Sequence, residues 1–182
     1  METIRLLMLV SLSAFLFGCA SGAKMENMTY LESQKTYDKS LQNEIGVSDV
    51  SGGKDTNPAW TSEISNAAFY GALKASLSEQ GLLSNSGKYS LKVYMKKVEQ
   101  PLFGIDMTVT THVTYVLTDT TNNTVVLDKT VVAPYTATIG DAFVGAQRLR
   151  LANEGSGKRN IEWLLEALSK LKIEPHEISL TK

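Results

Sequence analysis

Two long runs of strict alternation joined by a turn leave the middle of this 182-residue chain few ways to fold. Val109, Thr111, Val113, Tyr115 and Leu117 alternate with Thr108, Thr110, His112 and Thr114, the period of an extended strand with one face buried and the other wet or covered by a partner. Asp119 to Thr124 (DTTNNT) is turn material, and Val125 to Thr138 returns as the antiparallel partner strand. Pro134 cannot donate to a ladder, so the returning strand is expected at a sheet edge there, or bulged. Tyr89, Leu91, Val93 and Met95, set against Ser90, Lys92, Tyr94 and Lys96, supply another strand of the same kind. Glu44 to Val50 reads as a short first strand, closed by Ser51-Gly52-Gly53.

The helical signals lie on either side of these strands. Asn57-Pro58 is a start signal, with Thr61 a later alternative, and Gly81 is a natural stop. Between them Phe69, Leu73 and Leu77 recur every four residues beside Ile64, Ala68 and Ala72, an apolar face suited to packing on a sheet. In the last third, Ala142, Gly145, Ala146, Leu149 and Ala152 share one side of a helical projection, whereas Ile161, Leu164, Leu168 and Leu171 point about 100° away. The mismatch falls at Gly155-Ser156-Gly157, where a break costs least, so two helical pieces are expected over 141–154 and 158–171. Val144 and Leu151 lie opposite the first stripe, so that piece is apolar on two sides: either the fold buries both, or a partner covers one. The class that follows is α+β: an antiparallel sheet of about four strands with helices packed on one face, in the order β-α-β-β-β-α-α.

Composition bears on partners and on covalent staples. Hydrophobic residues at 43% and charged residues at 20% are ordinary for one globular core. A net charge of −1 offers no surplus of cations for phosphate neutralisation, which argues against a nucleic-acid partner. The single cysteine, Cys19, excludes an internal disulfide.

Cys19 ends the sequence Leu16-Phe17-Gly18-Cys19, directly behind an apolar run from Leu6 to Phe17. That run is about a dozen residues, short of the roughly 20 that span a bilayer, and it ends in small residues as export signals do. The arrangement resembles a bacterial lipoprotein signal with its lipobox. The resemblance implies that Cys19 is alkylated by diacylglycerol, that residues 1–18 are removed and that the new amino terminus is acylated, palmitate being the usual kind of chain. Ala20, rather than aspartate, follows the cysteine, which in such signals implies the outer membrane, with the domain facing the periplasm. At about 0.8 kcal/mol for each buried methylene, several acyl chains give stable anchoring to the membrane. Residues 19–42 then read as lipid anchor and flexible tether, with a reach of about 25 Å. Residues 43–172 are expected to form one domain, and 173–182 a polar tail.

No catalytic constellation emerges. Gly155-Ser156-Gly157-Lys158 invites a phosphate-loop reading, but Ala152 stands where the first glycine is needed and Arg159 where the metal-binding hydroxyl is needed. His112 and His176 are the only imidazoles and form no metal-ligand spacing, and no Gly-x-Ser-x-Gly elbow presents a serine. Asp106 and Asp141 could pair as carboxylates, yet both occupy positions where turns and caps want aspartate. No cofactor and no metal are expected. The candidates for contact are Leu102, Phe103 and Ile105, apolar residues in a loop between strands that either form a patch or fold inward, and Arg148, Arg150 and Leu151 on the helix. Arg148, Arg150, Lys158 and Arg159 together form a basic cluster able to meet lipid phosphates or a protein carboxylate, although Glu154 is placed to pair with Lys158.

Two stretches, Gln100 to Val109 (QPLFGIDMTV) and Asp141 to Gly155 (DAFVGAQRLRLANEG), resemble a family of small, largely uncharacterised proteobacterial envelope lipoproteins, over about residues 45 to 172. Some of its members carry the label UDP-N-acetylglucosamine acyltransferase. Transferases of that name resemble β-helices built on apolar hexapeptide repeats, and this chain has no such repeat. The element order also resembles penicillin-binding-protein activators, lipoproteins that act by contact. The missing catalytic set and the two-sided helix point to a lipid-anchored binding or assembly module that touches a partner protein or glycolipid. The alternative is an envelope enzyme, such as a sugar-acyl transferase or cell-wall hydrolase, using Asp106, Asp141 or His112.

Overall fold

A computed structural model describes residues 20–59 and 61–173 of the chain. Residues 1–18, expected as a leader, Cys19, Trp60 and residues 174–182, with His176, lie outside the described residues. In chain order the elements are a short helix Met25–Met28 (α1), strand Ile45–Ser51 (β1), helix Asn66–Glu79 (α2), strands Tyr89–Glu99 (β2), Met107–Asp119 (β3) and Thr124–Ala137 (β4), and helix Gly145–Lys170 (α3).

The strands form one open four-stranded sheet in the order β1-β2-β3-β4. The fold is α+β, and the sheet is mixed: β2–β3 and β3–β4 are antiparallel, whereas β1 runs parallel to β2. The parallel pair follows from the connection, because α2 carries the chain back across the sheet before β2 begins, and a crossover of that length returns a strand in the same direction. β4 is an edge strand, which accommodates Pro134. The alternation translates directly into burial: Val109, Thr111, Val113, Tyr115 and Leu117 are all fully buried under the helices, and Thr114 and Thr108 on the open face pair with Thr130 and Thr136 at 2.8 Å each.

Helix α2 starts later than its first sequence signal. Ser65, not Asn57 or Thr61, is the N-cap, its hydroxyl accepting from Ala68 N at 3.1 Å. Residues before it are extended because their backbone is already committed: Ile64 O accepts from Lys54 N, and Glu63 O from Ala23 N. Asn57 instead closes a tight turn on Ala59 N. Gly81, at φ +67°, ends the helix, a left-handed position where glycine carries no side-chain penalty.

Helix α3 corrects the expected break, since its 26 residues run continuously through Gly155-Ser156-Gly157. The two glycines serve close approach. A Cβ at Gly155 would run into the Tyr135 ring, and one at Gly157 would come within 2.7 Å of Met28 Sδ. Between them Ser156 faces the sheet, its hydroxyl accepting from Thr111 N at 3.0 Å and donating to Ala133 O at 2.7 Å. Both apolar stripes are buried because α3 has neighbours on two sides, the sheet on one and α1 with α2 on the other.

The segment expected as a free tether is packed. From residue 20 it runs down α3 as a strap: Arg150 Nη1 donates to Ser21 Oγ at 2.9 Å, Glu154 accepts from Lys24 N at 3.0 Å and Asn27 Nδ2 at 2.8 Å, Met28 meets Gly157, and Lys158 pairs with Glu32 at 2.8 Å. Met28 and Leu41 are fully buried, and Tyr37 Oη donates to Gln80 Oε1 at 2.8 Å. The strap's apolar residues have no steady period because they follow the contour of α3 and α2 rather than a regular structure of their own.

Candidate functional site

Two loops rise from the same end of the sheet. One joins β2 to β3 over residues 100–106, and the other joins β4 to α3 over residues 138–144. Antiparallel pairing of Met107 with Ala137 sets their bases side by side. Beneath them Met107, Val109, Ala137, Leu149 and Ala152 form a small core of their own, so the loops stand on a packed base.

Arg148, in the first turn of α3, ties the two loops together. Its Nη1 donates to Ala142 O at 2.8 Å and Phe143 O at 2.7 Å, and its Nη2 lies 3.4 Å from Gly104 O. The planar fork of a guanidinium suits this task, because it presents several donors in fixed directions. The fixed loops turn their apolar residues outward. Leu102 is 97% exposed, Phe103 86%, Ile105 73% and Phe143 87%, with Ile139 and Val144 half exposed. The loop over 101–105 is thus an outward patch and does not fold over the sheet's end. Side chains of this size are seldom left in water as a contiguous set on a soluble surface unless they make a contact.

The remaining sequence candidates fall in different places. Arg148 is buried, at 7% exposure, and its charge is consumed by the loop carbonyls, so it positions the patch rather than belonging to a solvated basic face. Arg150 is held by Ser21 and, at 3.6 Å, by Glu154; Leu151 packs partly buried against the small core. Glu154 is buried and turned to the strap, not to Lys158. Arg159 donates to Pro134 O and sits 5.6 Å from the Tyr135 ring centre. Phe143 escaped the sequence reading because residues 141–144 were expected inside the helix, whereas α3 begins at Gly145. Gly140 and Gly145 flanking it were the available signal.

Asp106, Asp141 and His112 do not converge. Asp141 closes its own turn, accepting from Thr138 N at 2.7 Å and Thr138 Oγ1 at 2.9 Å, and the Thr138 amide holds its carboxyl below the usual aspartate value. His112 lies on the open sheet face, its Nε2 3.5 Å from Glu99 Oε1. Five residues of strand separate it from Met107, about 17 Å at the rise of a strand, so it cannot act together with the loop carboxylates. Two surface grooves of about 550 Å³ flank this end. One, lined by Glu32, Asp141, Lys158 and Arg159, has its charges engaged as described; the other runs beside Leu102 and carries Lys54, Lys96 and Gln100. Among the described residues, no group of three or more His, Cys, Asp or Glu side chains could hold a metal ion. No described helix is long and apolar enough to cross a membrane.

No protein-family model matches the sequence, and no curated protein matches it. Solved structures do resemble it in shape. A DUF330-family protein from Xanthomonas campestris superposes with a TM-score of 0.53 at 11% identity, covering 75% of this chain and 91% of its own. A minor lipoprotein from Acinetobacter baumannii gives 0.49 at 10% identity, over 71% of this chain and 94% of its own. A candidate lipoprotein from Caulobacter crescentus gives 0.48 at 14% identity, over 71% and 90%. The first of these shares the fold, and at such identities the fold is all that carries over.

Proposed function

We propose that this protein is a lipid-anchored lipoprotein of the bacterial envelope, attached through Cys19, that works by contact rather than by catalysis. The observation that carries the reading is the clamped apolar patch of Leu102, Phe103, Ile105 and Phe143: a buried arginine is spent on holding four large apolar side chains in water. Such an arrangement has no stability rationale of its own and suits a surface kept ready for an envelope protein or a glycolipid. The lipobox-like sequence at Leu16 to Cys19 supports the anchor, and Ala20 supports the outer membrane with the body in the periplasm. The lipoproteins among its structural neighbours agree with this reading without arguing for it.

The test has two parts. Mass spectrometry of the amino-terminal peptide from protein purified out of its native membrane should give a chain that begins at Cys19 and carries acyl groups, and Cys19→Ala should yield no such acylated peptide. Photocrosslinkers placed at Phe103 and Phe143 should capture a protein or glycolipid, whereas one at Asn122, in the turn at the other end of the β3–β4 hairpin, should not. A chain that begins at Met1 with a free thiol sinks the anchor, and equal labelling from all three positions sinks the patch.

A further inference from the structure

Resting on the anchored reading above, we propose that the loop end is the membrane-facing end of the molecule, and that Leu102, Phe103, Ile105 and Phe143 enter the headgroup boundary of the bilayer that holds the anchor. The strap runs down α3 in step with it, Ser21 beside Arg150, Lys24 beside Glu154, Met28 beside Gly157 and Glu32 beside Lys158. Followed backwards, the same course brings Ala20 to the amino-terminal end of α3, where its N–H donates to Pro58 O at 2.9 Å. The apolar loops spring from that end of α3, and Cys19 is the next residue.

A loose tether of some twenty residues would let the body hang about 25 Å away and turn freely. A strap fixed from Ala20 onward leaves no such slack, so an acylated Cys19 holds this one end against the lipid. The exposed tips are apolar, and the groove beside Leu102 is lined by Lys54, Lys96 and Lys97 against one carboxylate, Glu63, which accepts from Gln100 Nε2, a charge balance that suits lipid phosphates. Bulky apolar residues with lysines in the adjoining groove suit an interfacial contact that adds buried area to an acyl anchor. The opposite end of the hairpin, Thr120 to Asn123, is wholly polar. The lipid surface is therefore the occupant these loops fit, ahead of a soluble protein that would have to reach them from the anchored side.

The experiment uses the full chain, purified from membranes and reconstituted in phosphatidylethanolamine/phosphatidylglycerol vesicles. Cys19 is the only native cysteine, so once its thiol is alkylated, Phe103→Cys carries the one thiol open to an environment-sensitive dye. Asn122→Cys is the control. Lipids spin-labelled near the top of the acyl chain should quench the dye at position 103 by about twofold or more and leave position 122 unchanged, and adding Phe143→Glu should reduce the quenching at 103. A dye at 103 that is quenched no more than one at 122, in protein whose circular dichroism matches the parent, overturns the inference. The mass of the amino-terminal peptide, read on the same sample, tells the two failures apart: acylated Cys19 with an unquenched label removes only the membrane-facing patch, and unmodified Cys19 with an unquenched label removes the anchor as well.

Discussion

The buried hydroxyl of Tyr115 donates to Asn160 Oδ1 at 2.7 Å, joining the middle of the sheet to the middle of α3. Asn160 also donates from Nδ2 to Thr111 O, Thr111 Oγ1 and Val131 O, so its amide group is satisfied at both ends. Four residues earlier Ser156 bridges Thr111 and Ala133 in the same way. These polar pegs have partners only in one placement of the helix, which fixes α3 along β3 and β4 more narrowly than an apolar seam would.

Tyr115→Phe tests this peg. The ring stays, but Asn160 Oδ1 loses its donor in a dry site, and a buried acceptor left unpaired costs about 1–3 kcal/mol. Urea unfolding followed by circular dichroism should show a lower midpoint with an unchanged slope. A midpoint equal to that of the parent would mean that water or a neighbour replaces the bond.

Gly155→Ala separates close approach from a helix break by the sign of its effect. In an exposed or broken stretch of helix, alanine would stabilise by up to about 1 kcal/mol over glycine. Here the new methyl group meets the near side of the Tyr135 ring, which already lies against the Arg159 guanidinium. Overpacking of this kind costs about 1–3 kcal/mol, so the net change should be destabilising. Thermal unfolding of Gly155→Ala beside Gly155→Ala/Tyr135→Ala settles the cause, because removing the ring should restore the benefit of alanine.

Much of this fold is legible in the sequence, and the parts that are not share one physical origin. The strands at Tyr89, Met107 and Thr124 announce themselves because every second residue of Val109 to Leu117 is buried, and period 2 survives in the sequence. The strap, the late start of α2 and the unbroken α3 do not, because each is set by contacts with chain forty or more residues away: Ala23 against Glu63, Gly157 against Met28, Glu154 against Lys24. Local propensity read Gly155 and Gly157 as points of weakness, whereas the tertiary structure uses their missing side chains as space. Of the candidate surface, Leu102, Phe103 and Ile105 were visible as apolar residues in a loop. That Arg148 is buried and bonded to the carbonyls of the loops depends on tertiary contacts, which no spacing encodes.

Glu154→Ala should loosen the strap while leaving the sheet intact. Its carboxylate takes the Lys24 amide and the Asn27 side chain and lies 3.6 Å from Arg150 Nε, so removal orphans two donors and takes away the countercharge of Arg150. Limited proteolysis should cut between residues 20 and 32 faster in the variant than in the parent, with the core fragment surviving. Uncut strap in the variant would show that Met28 and Leu41, buried independently, hold it unaided.

Arg148→Ala should free the two loops, and Arg148→Lys should rescue them poorly because an ammonium on a flexible stem cannot reproduce the fork to Ala142 and Phe143. Hydrogen bonds to a charged group contribute about 1.5–3 kcal/mol each, although the loops can move into water and recover part of that. Hydrogen exchange at Gly104 to Asp106 and Ala142 to Val144 should rise in both variants, more in Arg148→Ala. Unchanged exchange in those loops would mean that the small core beneath them, not the guanidinium, sets their shape.

Acid should weaken the turns that carboxylates close. Hydrogen bonds from backbone amides, Thr138 to Asp141, Thr121 to Asp119 and Ser40 to Asp38, hold each carboxyl below the ordinary 3.8. A folded-state value below the unfolded one means that the stabilising contribution is present in full above the unfolded value and is lost as pH falls through it toward the folded value. The window thus opens just below about pH 4 and extends downward, and neutral pH should leave these turns intact. Asp141 is exposed, and Asp38 and Asp119 are half-buried in surface turns, so the individual effects are small and are best read as a difference between variants. Asp141→Asn keeps an acceptor for Thr138 but cannot titrate. Between about pH 5 and pH 2.5 its urea midpoint should therefore fall less than that of the parent, from a starting value at neutral pH that is slightly lower. Parallel decline of the two proteins would mean that the Asp141 turn is not linked to folding, and that the acid sensitivity of this end resides elsewhere.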